Sequence, residues 1–475
     1  MGGAGDRRRP FSFGPCPDPG ATVRKAQTLM DVDLIVLGSG TAGVKVAMRC
    51  RAAGWRVALV ESRQFGGTCA LRGCEPKKLF WTLAEAAERA QRLSGKGVGG
   101  GGAVTLDWAA AQRFKRSFTD PVPEARRASL EREGITPLHG QPRFLGPDRI
   151  DVDGQEIRFR HALIATGAEP AELPIAGREN LATSDDFLAL TEMPESLVLL
   201  GGGYISFECA HLARRAGAAV TILEGGDRPL AQFDQALVAR LVEKTRALGI
   251  RVELNCKAAA IRQDAGGYRV ESEDGRGFAG AMVLHGLGRR PALSGLGLEA
   301  AGVPVEKGRL LLDPYLRSTG HARIFAAGDA AAQGPALTPV ASHDAAVVAR
   351  NLLEGCHTKP DYSVVPSAAF TLPPLAAVGL TEAQAKERGI DYELREGDMA
   401  EYQSVRRTGE DTAAFRLLIA PGSGAILGAH LLGPEAPDSI NLFALAMRAG
   451  MGAEALSRMM TAYPTGGSNI ASMLG

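Results

Sequence analysis

The sequence predicts an α/β chain in which one strand–helix–strand unit occurs twice. Three observations carry this. A glycine-broken strand–helix–strand pattern fills residues 33–61, the same pattern returns at 196–224, and Cys69 and Cys74 follow closely on the first copy.

In the first copy, Asp33–Leu37 is a short apolar run of the kind that forms a buried parallel strand. It breaks at Gly38-Ser39-Gly40-Thr41-Ala42-Gly43, a helical pattern follows from Val44 to Ala53, and a second strand, Arg56–Val60, ends at Glu61. Gly38, Gly40 and Gly43 let the backbone turn tightly and approach a pyrophosphate at the helix N-terminus. Glu61 falls where a carboxylate can hold a ribose hydroxyl pair. Strand, glycines, helix, strand and acid together predict a dinucleotide site.

The second copy runs from strand Leu197–Leu200 through Gly201-Gly202-Gly203-Tyr204-Ile205-Ser206 and a helix to Ala216. Strand Ala219–Leu223 then ends at Glu224. In both copies the acid lies 23 residues after the first glycine. Gly201 and Gly203 hold the turn, and Ser206 stands in place of the third glycine. Two dinucleotide sites are the minimum for moving electrons between two nucleotide cofactors. A carboxylate at 224 favours the free ribose of NADH and repels a 2′-phosphate. Arg228, the nearest cation beyond Gly225 and Gly226, keeps NADPH as the alternative.

The 475 residues exceed what one hydrophobic core holds and divide into about three domains. With 54 basic against 53 acidic residues, no bulk field draws the chain to nucleic acid or to an anionic membrane. No apolar run approaches the ~20 residues of a membrane span. The seven cysteines are scattered, unlike a secreted disulfide framework, and a reducing, cytoplasmic compartment is expected. Residues 1–29 read as a disordered leader. Arg7-Arg8-Arg9 lacks the apolar stretch of an export signal, and Met30 stands directly before the first strand.

Cys69 and Cys74 sit in Gly66-Gly67-Thr68-Cys69-Ala70-Leu71-Arg72-Gly73-Cys74-Glu75-Pro76-Lys77-Lys78. Two thiols this close can form a small reversible disulfide, and beside a bound flavin such a disulfide can accept two electrons and pass them on. Further segments follow in order: Ile164-Ala165-Thr166-Gly167, Gly288-Arg289-Arg290-Pro291, Ile324-Phe325-Ala326-Ala327-Gly328-Asp329, Leu337-Thr338-Pro339 and Phe370-Thr371-Leu372-Pro373-Pro374. With the two fingerprints and the Cys pair, they make residues 30–475 resemble the flavoprotein disulfide reductases: glutathione reductase, dihydrolipoamide dehydrogenase and mercuric reductase.

That resemblance implies two Rossmann-like domains, for FAD and for NAD, plus an α+β C-terminal dimerisation domain. The FAD-binding domain is expected at 30–175 and 292–362, the NAD(P)-binding domain at 176–291, and the interface domain of a homodimer at 363–475. It further implies that Asp329 binds the flavin's ribityl chain, that Thr338 lies near the isoalloxazine ring and that Tyr204 covers the nicotinamide pocket. Gly67, Thr68, Thr166, Gly167, Arg289 and Gly328 complete the expected cofactor contacts. Lys77 is expected near flavin N5, paired with Glu208. A flavin accepting hydride develops negative charge that a nearby Lys⁺ stabilises, and a buried Lys needs a counter-ion. Electrons then run from NADH to FAD to the Cys69–Cys74 disulfide, with Cys74 against the flavin and Cys69 attacking a disulfide substrate. No resident metal site is expected.

The chain departs from the family pattern at its end. The family brings His-Pro from the partner subunit to the redox cysteines, with a Glu a few residues later. Here the segment is Ala462-Tyr463-Pro464-Thr465-Gly466-Gly467-Ser468-Asn469, and the last histidine is His430. Tyr463 takes the place of His, and Ser468 and Asn469 occupy the stretch of the Glu. Phenol, with a pKa of ~10, is a poor base beside imidazole at ~6.5, yet it can donate to a leaving thiolate. Mercuric reductases also carry Tyr there, so reduction of a metal ion (Hg or Cu) is one alternative. Their C-terminal cysteine pair is missing from Ile470-Ala471-Ser472-Met473-Leu474-Gly475. A second alternative is a non-turnover redox sensor. Met48 stands where family members hold a glutathione carboxylate with Arg, so a disulfide other than glutathione's is expected. Arg72 and Glu75 are expected to pair at the surface, with a lowered cysteine pKa as the other reading of Arg72.

Overall fold

In the computed structural model, residues 1–2, 30–264 and 266–475 are described, so the leader expected at 1–29, Cys16 included, lies almost wholly outside the described residues. The first glycine unit builds a seven-stranded sheet. Met30–Leu37 lies at its centre, parallel to Val57–Glu61 on one side and to Gln155–Ile164 on the other. Thr136–His139 extends the parallel edge, Arg149–Val152 and Pro142–Gly146 add antiparallel strands, and Ile324–Ala326 returns to pair with Gln155–Ile164. Leu34–Leu37 are fully buried, as a strand covered on both faces requires. The strand starts at Met30 rather than Asp33 because Met30, Asp31 and Val32 pair with Ile157, Arg158 and Phe159. The helix starts at Thr41 rather than Val44, since Gly40 is its extended N-cap. Thr41–Ala52 packs against Thr338–Glu354, which brings residues from distant parts of the sequence to one face of this sheet.

The second unit forms a parallel sheet in the order Ile250–Glu253, Ala219–Leu223, Ser196–Leu200, Met282–His285, accompanied by an antiparallel sheet of Ala258–Asp264, Gly267–Ser272 and Gly277–Gly280. The chain leaves the first sheet and re-enters it through a two-stranded ribbon, Ala168–Pro170 against Arg289–Pro291. The C-terminal part is α+β. An antiparallel five-stranded sheet runs Ser367–Ala369, Leu375–Gly379, Ile426–Leu432, Ala414–Ile419, Glu393–Asp398, and Ala436–Arg448 packs on it. The expected α/β architecture with a third, α+β part is therefore what the chain adopts.

The long helix Cys74–Arg92 ties these parts together. Phe80 on it stacks on Trp108 at 4.5 Å. Both enter an apolar cluster with Phe207, Leu212 and Ile222 from the second unit and with Leu372 and Leu432 from the third. One end of this helix carries Cys74. Among the described residues, no helix is long and apolar enough to cross a membrane.

Candidate active site

The first glycine loop is closed so tightly that side chains have no room. A Cβ on Gly38, whose φ is +107°, would come 2.3 Å from the Ala165 carbonyl oxygen, and one on Gly43 would come 2.0 Å from the Gly38 oxygen. Gly67, with φ +73°, presses on Gly40, its absent Cβ falling 2.5 Å from Gly40 Cα. The loop thus meets both 165–167 and the segment that carries the cysteines. Glu61 is buried at the strand end, its Oε2 accepting from the Ser39 N–H at 3.0 Å and the Ser39 hydroxyl at 2.5 Å, its Oε1 from the Arg63 N–H at 2.9 Å. The Thr166 hydroxyl is buried without a hydrogen-bond partner, beside Gly167 at φ +72°. A cradle with no Cβ, an orphaned hydroxyl and a buried acid fit the pyrophosphate and ribose of a dinucleotide.

Across the same site, Gly328 and Asp329 start a short 3-10 turn. Burial pushes the Asp329 carboxyl above its ordinary pKa, and Arg289 opposes that shift. The turn is fixed by Asp344, which sequence reasoning missed: its Oδ2 accepts from the Gly328 N–H at 2.9 Å and its Oδ1 from the Tyr362 hydroxyl at 2.7 Å. An aspartate directly before the apolar run Ala345–Ala349 of the helix that Thr338 begins was the available signal.

Cys69 lies in the short helix Gly67–Arg72, and Cys74 begins the next helix after Gly73; Thr68 beside them is exposed. Both are thiols in this structure. Thr338, first residue of its helix, donates to Cys69 Sγ at 3.1 Å and lies 3.3 Å from Cys74 Sγ. The hydrogen bond from Cys69 brings the Cys74 pKa down to about 6; burial opposes this, while Thr338, Lys78 and Lys77 assist. Cys69 moves the other way, pushed well above an ordinary thiol by its partnership with Cys74 and by burial.

Below the pair, Lys77 Nζ lies 2.5 Å from Glu208 Oε2, as the resemblance implies. Sequence reasoning missed the second lysine: Lys78 Nζ lies 2.9 Å from Glu208 Oε1 and 4.1 Å from the centroid of the Phe370 ring. The Phe370 N–H donates to the same oxygen at 2.7 Å. Burial alone would raise the Glu208 pKa, but the two ammonium groups overcome it and hold the carboxyl at about 2. Burial likewise opposes the charge on Lys77, and Glu208 outweighs it, leaving Lys77 above its usual value. Tyr204 opens the second-unit helix with its ring 5.2 Å from Lys77 Nζ.

Residues 32–345 match the family described as pyridine nucleotide-disulphide oxidoreductase, and residues 365–474 match that family's dimerisation domain. The chain belongs to this family. It is 31% identical to the glutathione reductase of Burkholderia cepacia over 88% of this chain and 93% of that one. It is 31% identical to the dihydrolipoyl dehydrogenase of Geobacillus stearothermophilus (92% and 94%) and 33% identical to the mercuric reductase of Streptomyces lividans (91% and 93%). Among solved structures it resembles the HOCl-induced flavoprotein disulfide reductase RclA of Escherichia coli, with TM-score 0.84, 28% identity and coverage of 93% and 99%. The Cu(II) complex of RclA gives TM-score 0.86 over 94% and 99%. As a pyridine nucleotide-disulphide oxidoreductase, the chain is an enzyme that uses FAD and NAD(P)H.

The second nucleotide site of this oxidoreductase is built like the first. Gly201 has φ +94°, and a Cβ there would lie 2.7 Å from the Gly286 carbonyl oxygen, while Gly203 is the helix N-cap. Ser206 is accommodated because Gly286 faces it: a Cβ on Gly286 would fall 2.0 Å from the Ser206 oxygen. That hydroxyl is also buried and unpartnered. Glu224 accepts from the Gly202 N–H at 2.5 Å and the Gly226 N–H at 2.8 Å. Arg228 lines a cavity of about 610 Å³ with Phe233, Val238 and Glu382. Arg289 donates to the Ala168 carbonyl across the ribbon.

Tyr463 is 77% exposed. No contact among the described residues of this one chain joins it to Cys69 or Cys74. Ser468, in the stretch where the resemblance places a Glu, closes a capping box with Thr465. Glu435 accepts from the Gly466 N–H and Asn469 donates to Ser404 at 2.7 Å, so the loop is held from the other side. The expected Arg72–Glu75 pair does not form. Arg72 turns inward to Asp185 at 3.4 Å, because its short helix packs on Ser184–Ala189, while Glu75 is exposed.

Proposed function

We propose that the enzyme takes electrons from NADH through FAD to the Cys69–Cys74 disulfide and reduces a disulfide substrate other than glutathione's, with Tyr463 serving the Cys pair of the partner protomer in a homodimer. The observation that carries this reading is geometric: the Thr338 hydroxyl lies 3.1 Å from Cys69 Sγ and 3.3 Å from Cys74 Sγ, and Cys74 starts the helix whose Lys77 pairs with Glu208. FAD, when bound, supplies the two-electron link between the nicotinamide and the disulfide. Gly38, Gly40, Gly43, Glu61, Gly67, Thr166, Asp329 and Thr338 would hold it, and Lys77 would face its reacting side.

From the reduced pair, Cys69 sulfur attacks one substrate sulfur and the substrate S–S bond breaks. Cys69 attacks as thiolate, its single proton passing through the Tyr463 hydroxyl to the leaving thiolate as the substrate bond breaks. Cys74 thiolate then attacks Cys69 sulfur, which re-forms the Cys69–Cys74 disulfide and releases the second half of the substrate as thiolate. With one proton from solvent, a disulfide and NADH give two thiols and NAD⁺.

NADH is preferred because both oxygens of Glu224 are held by backbone N–H groups at the ribose end, while Arg228 lines the neighbouring cavity. The few scattered cysteines support a reducing, cytoplasmic setting.

The test is Cys69→Ser. Turnover of the disulfide should vanish while NADH still reduces the bound FAD; a Cys69→Ser enzyme that still reduces disulfides would sink the reading. A second reading, reduction of Cu(II) or Hg(II), is supported by the solved Cu(II) complexes of RclA. NADH would then reduce two Cu(II) ions to Cu(I). NADH oxidation with the metal ions and with no disulfide would select it.

A further inference from the structure

The charge buried beneath the cysteines does not close on its own. Two ammonium groups, Lys77 and Lys78, share the one carboxylate of Glu208, whose side chain is 1% exposed. Lys77 is the nearer, at 2.5 Å. Lys78 follows Cys74 by four residues on the helix Cys74–Arg92, one turn away on the same face. The other groups around them come from every packed element: Cys69 on the preceding helix, Thr338 on its own helix, and Tyr204 and Cys209 beside Glu208. Tyr204 and Cys209 stay neutral, since burial raises the first and pushes the second up to about 12. Glu75 is exposed, its charge left in water. Thr338 carries no charge, and Cys69 keeps its proton.

We propose that Lys78 is the counter-ion of Cys74: with Cys74 as thiolate, two cations face two anions, and with Cys74 as thiol the cluster holds a surplus positive charge. The proposal rests on the reading of Cys69 and Cys74 as a redox pair. Two-electron reduction of their disulfide leaves two sulfurs, and at neutral pH one proton between them. Lys78 biases the negative charge toward Cys74, adding to the Cys69 hydrogen bond and to Thr338. A cation fixed on the chain's own helix does this without any group from a partner subunit. Lys78 is thus a positioning residue for charge: burial and Lys77 lower its pKa, whereas Glu208 and Cys74 act to keep it protonated.

The experiment is alkylation of the fully reduced holoenzyme with iodoacetamide across pH 4–9, with Cys74 followed by peptide mass spectrometry. Wild type, Lys78→Met and Lys78→Arg are compared at equal FAD content. In wild type the Cys74 rate should rise with a midpoint near pH 6. Loss of an adjacent opposite charge moves a pKa by about one unit or more. Lys78→Met should therefore cut Cys74 alkylation at pH 5 about tenfold, and Lys78→Arg should restore most of it. A Lys78→Met profile within about twofold of wild type at every pH overturns the proposal, as does a Lys78→Arg profile matching Lys78→Met. Alkylation reads the thiolate directly, without turnover. A Lys78-dependent profile in an enzyme that reduces no disulfide would therefore overturn the proposed function and leave this one standing.

Discussion

Lys77 Nζ stands 2.5 Å from Glu208 Oε2, which locks the helix that begins at Cys74 to the helix that begins at Tyr204 in the second glycine unit. The contact joins two parts of the chain next to Cys74 and Tyr204. It is buried, so its energetics follow the rules for paired charges in a low-dielectric site rather than those of a surface ion pair.

Glu208→Gln should destabilise the protein by about 3–5 kcal/mol, because the buried Lys77 ammonium and the half-buried Lys78 ammonium lose the carboxylate they share. Urea denaturation measures it. The pH dependence has a definite sign. Glu208 titrates at about 2 in the folded protein against 4.5 ordinarily, so its stabilisation is complete above pH 4.5 and is lost as pH falls toward 2. The variant should show a flatter acid slope, and an unchanged slope would contradict the pairing.

Thr338→Val keeps the shape of the residue and removes the hydroxyl that reaches both sulfurs. A hydrogen bond to a charged group is worth about 1.5–3 kcal/mol, so the Cys74 midpoint should rise by about one unit. A pH titration of the long-wavelength thiolate–flavin absorbance in the reduced enzyme reads it. The band should weaken as pH falls through about 6 in wild type and at higher pH in the variant.

Tyr463→Phe should lower kcat for disulfide reduction about 10²-fold or more, the range of a lost positioned proton donor. Reduction of FAD by NADH should be unchanged in a stopped-flow trace. Equal loss in both steps would mean that the substitution harms the fold or the dimer, not proton transfer.

Glu224→Ala should relax the choice of nucleotide. Removing a carboxylate that repels a 2′-phosphate should raise kcat/KM for NADPH relative to NADH by about tenfold, or ~1.4 kcal/mol. Steady-state kinetics with both nucleotides decides this, and a ratio unmoved by the substitution would place specificity elsewhere.

Much of the site was legible in the sequence because its signals are local. Gly38, Gly40 and Gly43 with Glu61, and their counterparts up to Glu224, are fixed by strand–turn–helix geometry within one short unit, where spacing dictates position. The Cys69–Cys74 spacing is local in the same sense. What the sequence could not say is which distant group answers a buried one. Thr338 reaches Cys69 across 269 positions and Phe370 reaches Glu208 across 162. Arg72 takes Asp185 instead of its neighbour Glu75 because the packing of a distant helix sets where its side chain is covered.

The sequence by itself determined the two glycine units, the closeness of Cys69 to Cys74 and the absence of any histidine after His430, since each is a matter of residue type at fixed local spacing. Only the tertiary structure decided that Lys78 joins Lys77 on Glu208, that Gly286 makes room for Ser206, and that Glu435 holds the Tyr463 loop. Counter-ions and close contacts are chosen by burial, and burial is a property of the packed chain rather than of any short stretch of it.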